Sequence, residues 1–353
     1  MPRINLKKLA EACGLAQTTV SNILSGHPGA YAEETRKKVL SLAGQLGYYP
    51  SRLPRFLRDN QSSTVALLVT NLTDPYFAEL LDMFTRVLKT LDMEVMVGVP
   101  HWSSREEAQK AYHSFLSWCP RAFLITADDP NVLAPEDLDR ATRSTAFITL
   151  TGNPWSGCSA VYPNRRKIAR LATEHLVSLG HRRIGMLIGE GDDPRKVQNF
   201  REALRNGGLE LLEQDIWPIH VHSMTEKEVD DQREDTAFNV GSRLAGHRDI
   251  PTALVATCDM IAVPFMSGFV FAGGKIPDDL SVVTYNNTRY AETASLPLTA
   301  VGLPIGPFTE TTVRLVQDIL DAQEQGQTLV RQIEMDPDLV ARRSSGPAHV
   351  FSS

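Results

Sequence analysis

The sequence predicts an α/β protein in two unequal parts: a small all-α head with a helix-turn-helix, then a body of two α/β subdomains built on parallel sheets. Three observations predict it. The first 60 residues carry nine Lys or Arg against four Asp or Glu, a charge of +5, while the other 293 residues carry −11. Within that basic stretch, apolar residues recur at helical spacing on both sides of Gly14. From residue 64 onward, β-branched apolar runs alternate with amphipathic helices, the pattern of a parallel sheet covered on both faces. A basic module joined to an acidic one suggests a polyanion-binding head on a globular body.

In the head, Asn5 is placed to cap a helix from Leu6 to Cys13 that turns Leu6, Leu9, Ala10 and Cys13 inward. Gly14 permits a tight turn. A second helix, Gln17 to Leu24, buries Val20, Ile23 and Leu24 and presents Gln17, Thr18, Ser21 and Asn22 on its other side. Helix, glycine turn and helix make a helix-turn-helix, whose second helix enters a DNA major groove by its N-terminus. A third helix, Glu33 to Leu46, buries Val39, Leu42, Ala43 and Leu46 and leaves Arg36, Lys37 and Lys38 to solvent or phosphate. Residues 51–58 then place three arginines around Leu53, Phe56 and Leu57.

In the body, strands are expected at Val65 to Val69, Glu94 to Val99, Ala122 to Ile125 and Ala146 to Leu150, with helices at Tyr76 to Leu91 and Arg105 to Trp118. After residues 153–157 the alternation restarts. Helices are expected at Lys167 to Leu179, Lys196 to Asn206, Thr236 to Ala245 and Met260 to Ala272. Strands are expected at Ile184 to Ile188, Ile216 to Val221, Ala253 to Ala256 and Ser281 to Tyr285. Two subdomains with a cleft between them follow. Apolar stripes on Tyr76 to Leu91 and Thr309 to Leu320 are expected to form a dimer interface.

Several classes are excluded. Hydrophobic residues at 42% and charged residues at 22% are ordinary globular usage, and no apolar run has the length of a membrane span. The N-terminus lacks the features of a secretory leader, so a cytoplasmic location and no membrane partner are expected. Cys13, Cys119, Cys158 and Cys258 are scattered, which points to free thiols rather than a disulfide framework or zinc site. His220 and His222 share a strand face without a third ligand, so neither a metal nor a cofactor is expected. Dinucleotide, P-loop and nucleophile-elbow motifs are absent, which argues against an enzyme. A small-molecule-binding protein, or an α/β enzyme with a fused DNA-binding head, are the alternatives.

The chain resembles the LacI/GalR family of bacterial repressors at Leu9-Ala10-Glu11-Ala12-Cys13-Gly14-Leu15, Thr19-Val20-Ser21-Asn22-Ile23-Leu24-Ser25-Gly26, Glu33-Glu34-Thr35-Arg36 and Leu46-Gly47-Tyr48-Tyr49-Pro50. Arg55-Phe56-Leu57-Arg58 is similar to that family's hinge helix. In the body, residues 175–184, 276–283 and 296–301 resemble further family landmarks, so the likeness covers nearly the whole chain. It implies a body of the periplasmic-binding-protein-like (type I) kind, with an effector in the cleft that controls the hinge helices. The implied division is a DNA-binding head at 1–50, a hinge and linker at 51–63, a body at 64–345 and a tail at 346–353. Within the body the N-subdomain is expected at about 64–159 and 304–330, and the C-subdomain at about 160–303 and 331–345.

The same resemblance assigns roles. Gln17, Thr18 and Asn22 stand where the family reads bases, and their amides and hydroxyl suit base edges. Lys7, Thr19, Ser21, Arg55 and Arg58 are expected on the DNA backbone. Leu57 resembles the family's minor-groove wedge, which kinks the operator and requires two copies. The implied partners are double-stranded operator DNA, a second copy of the chain, and a sugar or sugar derivative, with an anionic ligand suggested by Lys196. Tyr76, Phe77, Lys196, Asp259 and Asn286 match effector-contact positions. Ala16 and Ala32 lack the hydroxyl that commonly caps the second and third helices. Gly152, Arg165, Cys258 and Leu303 also depart from the usual residues, which suggests a cleft less polar than, or shaped differently from, a sugar site.

Overall fold

The computed structural model describes residues 5–24, 31–46, 63–100, 104–150, 152, 154–219, 236–247 and 249–348. The linker residues Arg55, Leu57 and Arg58 lie outside them, as do His220 and His222. The chain forms two compact units, residues 1–62 and 63–353.

The head unit holds α1 (Leu6–Cys13), α2 (Gln17–Leu24) and α3 (Glu33–Gln45). Asn5 caps α1 by accepting the Lys8 N–H at 3.0 Å, and Gly14 ends it with a left-handed φ of 68°. Leu9, Ala10, Cys13, Val20, Ile23, Val39 and Ala43 close one small core. Ala32 gives α3 no side-chain cap, and Glu33 and Glu34 in the first turn offset part of that loss through the helix dipole.

The body's first sheet contains β1 (Thr64–Leu68), β2 (Glu94–Gly98), β3 (Ala122–Ile125), β4 (Ala146–Leu150), β5 (Ser159–Pro163) and β11 (Gln332–Met335), ordered β11-β5-β4-β3-β1-β2 and parallel throughout. Helices α4 (Pro75–Lys89), α5 (Arg105–Leu116), α6 (Pro135–Ser144) and α12 (Ile305–Glu324) accompany it. Its second sheet contains β6 (Ile184–Gly189), β7 (Ile216–Ile219), β8 (Ala253–Ala256), β9 (Ser281–Tyr285), β10 (Thr299–Gly302) and β12 (Asp338–Val340). The order is β12-β10-β9-β8-β6-β7, and among the described residues only β12 is antiparallel. Around it lie α7 (Arg165–Ser178), α8 (Arg195–Asn206), α9 (Ala237–Ala245), α10 (Asp259–Phe271) and the short α11 (Arg289–Thr293). Among the described residues no helix is long and apolar enough to cross a membrane.

Two expectations change. Strands β5 and β11 pair in the first sheet, so the chain passes between subdomains after residues 163 and 335 rather than after 159 and 330. Strand β5 ends half-buried and β11 alternates exposed with half-buried residues, a weak apolar signal. The apolar stripes of α4 and α12 are not free. Leu80, Phe84 and Leu88 pack with Phe308, Val316 and Ile319 in the core under the first sheet, so these stripes are spent within the chain.

Candidate functional site

On the head unit, α2 divides cleanly between core and surface. Val20 and Ile23 are buried, Gln17 and Thr18 are exposed, and Thr19, Ser21 and Asn22 are half-buried. Asn22 Nδ2 donates to Tyr31 Oη at 3.2 Å, so its amide is oriented by the chain leading into α3. Lys7 and Gln17 line one open concavity of about 370 Å³ beside Gly14. The first turn of α2 carries no acid, so the positive end of its dipole is left uncancelled beside that lysine. A protruding helix start, two exposed hydrogen-bonding side chains and a cation at its side suit a polyanionic groove.

In the body, the carboxyl ends of both sheets' strands face one cavity of about 290 Å³, the place where open α/β sheets hold ligands. The loops after β1 and β3 are tied together, since Thr70 N–H donates to Thr126 Oγ1 at 2.9 Å. Asp74 caps α4 by accepting the Tyr76 N–H at 2.9 Å, with Pro75 in the first turn. This cap sets Tyr76 and Phe77 on the cavity wall, ring edge to ring face, with centroids 5.3 Å apart. From the second sheet, the loop after β6 brings Asp192 and Asp193, the end of β8 brings Thr257 and Cys258, and the end of β9 brings Tyr285 and Asn286.

The charges across the cavity are extensively paired. Lys196 Nζ meets Asp192 Oδ1 at 2.6 Å. The other Asp192 oxygen accepts the Gly189 N–H at 3.0 Å and the Thr257 hydroxyl. Arg165, the first residue of α7, donates to Asp193 on the second-sheet side and to Asp128 on the first-sheet side, the latter at 3.1 Å. One guanidinium therefore joins the two subdomains. A Cβ at Gly152 would come 2.5 Å from Asp128 Oδ1, so that glycine leaves Asp128 its room. A second link runs from the Arg289 N–H to Glu79 Oε1 at 2.6 Å.

Burial raises the Asp74 carboxyl above its ordinary pKa, partly opposed by the Tyr76 N–H and by Lys196. Burial likewise raises Asp128, although Arg165 lies beside it. At Asp193 burial acts in the same direction, but the hydrogen bonds from Arg195 and the charge of Arg165 outweigh it and hold the group below the ordinary value. The Cys258 thiol is pushed up to about 12 by burial and by Asp74, so it stays protonated and unreactive.

Four of the five effector positions read from sequence, Tyr76, Phe77, Lys196 and Asn286, line this cavity. Asp259 does not. It is 2% exposed at the start of α10, and its Oδ2 accepts the Thr288 N–H at 2.9 Å and hydroxyl at 2.6 Å, which fixes the start of α11. Leu303 is in the core. Asp74, Asp128, Asp192 and Asp193 also line the cavity. Sequence reading gave none of these aspartates a ligand role. The signal was available, since each lies three to six residues beyond a strand's carboxyl end.

Burial pushes the Asp259 carboxyl up to about 6 against an ordinary 3.8, with the Thr288 hydrogen bonds opposing. The folded chain therefore keeps a proton that the unfolded chain has already lost between pH 4 and pH 6, so this group makes stability fall as pH rises through that window. Asp259→Asn is expected to be more stable than the parent above pH 6, by up to ~3 kcal/mol, and no more stable near pH 4. Urea unfolding at the two pH values checks it; a gain of equal size at both would contradict the assignment.

Residues 173–345 match the periplasmic binding protein-like domain family. The chain is 26% identical over 352 residues to the HTH-type transcriptional repressor PurR of Photobacterium profundum, covering 96% of this chain and 98% of that protein. Among solved structures, the lac repressor dimer bound to operator and the anti-inducer ONPF superposes with a TM-score of 0.77 at 20% identity, over 98% of this chain and 99% of that one. The CelR–cellobiose complex superposes with a TM-score of 0.64 at 23% identity, over 97% and 100%. At such identities the two structures speak for the fold.

Proposed function

We infer that this chain, a member of the LacI/GalR family of bacterial transcriptional regulators, is a DNA-binding repressor and not an enzyme. It binds a pseudo-palindromic operator as a homodimer, and a small-molecule effector, a sugar or sugar derivative, controls it from the cleft. One observation carries the reading. A single chain holds both a helix-turn-helix that exposes Gln17 and Thr18 at the start of α2 and a two-sheet body with a cavity between its strand ends. A repressor of this kind works where the chromosome is, in the cytoplasm.

In this reading Gln17, Thr18 and Asn22 read base edges, while Lys7, Thr19 and Ser21 hold phosphates. Arg55 and Arg58 add backbone contacts and Leu57 is the wedge at the operator centre. Tyr76, Phe77, Lys196 and Asn286 contact the effector, and Asp259 supports the wall behind them.

The dimer contact we assign is the apolar patch of α9 and α10. Phe271 is 80% exposed, Val270 52% and Phe238 39%, and the two phenylalanine rings lie 5.7 Å apart. The helices cross at backbone contact: a Cβ at Gly268 would come 2.0 Å from the Phe238 carbonyl oxygen. Solvent-facing aromatics held this rigidly are costly to leave bare and suit an isologous contact.

Selection of genomic fragments by the purified protein at one stated salt concentration tests the function. The expected product is a two-fold symmetric site with a flexible central step; enrichment of no common site would overturn the reading. On that site, Leu57→Ala is expected to weaken operator binding at least tenfold and leave non-specific binding unchanged, because it removes the wedge and keeps the phosphate contacts. Equal losses on both DNAs would remove Leu57 from that role. Asn22→Ala is expected to relax preference at one position of each half-site.

A further inference from the structure

The charges of the cleft identify the kind of effector it takes, an inference that rests on the effector reading above. Lys196 is committed to Asp192, which is itself held by Gly189 and Thr257. Arg165 is shared between Asp128 and Asp193, and Arg195 also sits on Asp193. Asp74 is different: among the described residues it makes no ion pair, and the one hydrogen bond to its carboxylate is the cap from the Tyr76 N–H. The positive charge that acts on it is the committed Lys196, and Asp192 adds like charge. An anion entering this cavity would have to separate Lys196 from Asp192 and lie against Asp74.

Two further features fit a hydroxyl-bearing cation. Tyr285 lines the cavity at 6% exposure, and among the described residues its buried hydroxyl has no hydrogen-bond partner. Tyr76 and Phe77 line the cavity with Asp74, their ring planes at 76° to each other, and aromatic rings attract cations. Among the described residues no group of three or more His, Cys, Asp or Glu could hold a metal ion. At about 290 Å³ the cavity lies at the small end of ligand sites and suits a monosaccharide-sized molecule.

We propose that the effector is a small polyol carrying a positively charged ammonium or guanidinium group, held by the Asp74 carboxylate against the Tyr76 and Phe77 rings. An amino sugar is the simplest member of the class. Lys196 and Arg165 then serve as internal counter-charges that keep Asp192, Asp193 and Asp128 from over-attracting it.

Calorimetry on the full-length protein tests the charge directly, with matched probes of one ring size: D-glucose and D-galactose, their 2-amino derivatives, and their 6-phosphates. The amino members are expected to bind at least tenfold tighter than the neutral parents, and the phosphates not at all. Asp74→Asn keeps a capping side chain for α4 while removing the charge. It is expected to erase the preference for amines at unchanged thermal stability. A neutral or phosphorylated probe that binds most tightly, no binding across the panel, or a preference that survives Asp74→Asn would each overturn the proposal. Operator titration with the bound probe separates this from the function itself. A neutral or phosphorylated probe that shifts operator affinity overturns the charge assignment and leaves the effector reading standing, while an amine that binds without shifting it does the reverse.

Discussion

Phe271→Lys is expected to leave a folded monomer whose affinity for a two-fold operator is lower by a factor of about 10² to 10⁴. The size follows from linkage. Two heads on one dimer make the second half-site an intramolecular event at high effective concentration, and a monomer forfeits that advantage without losing a single base contact. Neither misfolding nor charge repulsion would account for such a loss. Phe271 is 80% exposed and ends α10, where a cation suits the helix dipole, so the fold has little to lose. Added positive charge favours DNA, so a fall in affinity cannot come from phosphate repulsion. In a symmetric contact each copy would bury a lysine against its counterpart. Light scattering at micromolar concentration and an operator titration at fixed salt decide it, and a dimer that persists would remove the α9 and α10 patch from the interface.

Gly302→Ala is expected to cost about 3 kcal/mol or more in stability, the upper part of the overpacking range. Gly302 lies on the fully buried strand β10, and a Cβ there would fall 1.4 Å from the Asn286 carbonyl oxygen. That distance cannot be absorbed by a rotamer change, because the obstacle is backbone. Asn286 has a left-handed φ of 81° and lines the cleft, so the strands must separate or this loop must move. Effector response is therefore expected to fail together with stability. Gly306→Ala is the control: a Cβ there meets nothing within 4 Å on a helix, and the change should be neutral or stabilising. A Gly302→Ala protein with the parent's urea midpoint would refute the argument.

The head was legible almost residue by residue. Asn5, Gly14 and the inward spacing of Leu9, Ala10, Cys13, Val20 and Ile23 are signals carried within one or two helical turns. The fully buried apolar strands were legible for the same reason, with Ala122–Ile125, Ala146–Leu150, Ala253–Ala256 and Ser281–Tyr285 located to the residue. Helix α6 was passed over, as it begins after an uncapped Ala134 and carries few apolar residues. The cleft was half legible. Positions matched to the family pattern brought Tyr76, Phe77, Lys196 and Asn286 to one cavity, but placed Asp259 in front of a wall that it supports from behind.

Local spacing and charge were thus sufficient for the class of protein: a basic helix-turn-helix joined to an acidic, doubly wound body is written in short-range periodicity. Pairing between distant segments decided the rest. Strand β11 joins β5 across some 170 residues of chain, Arg165 reaches Asp128 and Asp193 on opposite subdomains, and the α4 and α12 stripes find each other instead of a partner molecule. An apolar stripe or an aspartate has the same local appearance whether it is buried, paired or free. Its role depends on which group from elsewhere in the chain satisfies it, and Asp74 and Phe271 stand out because none of the described residues pairs the one or covers the other.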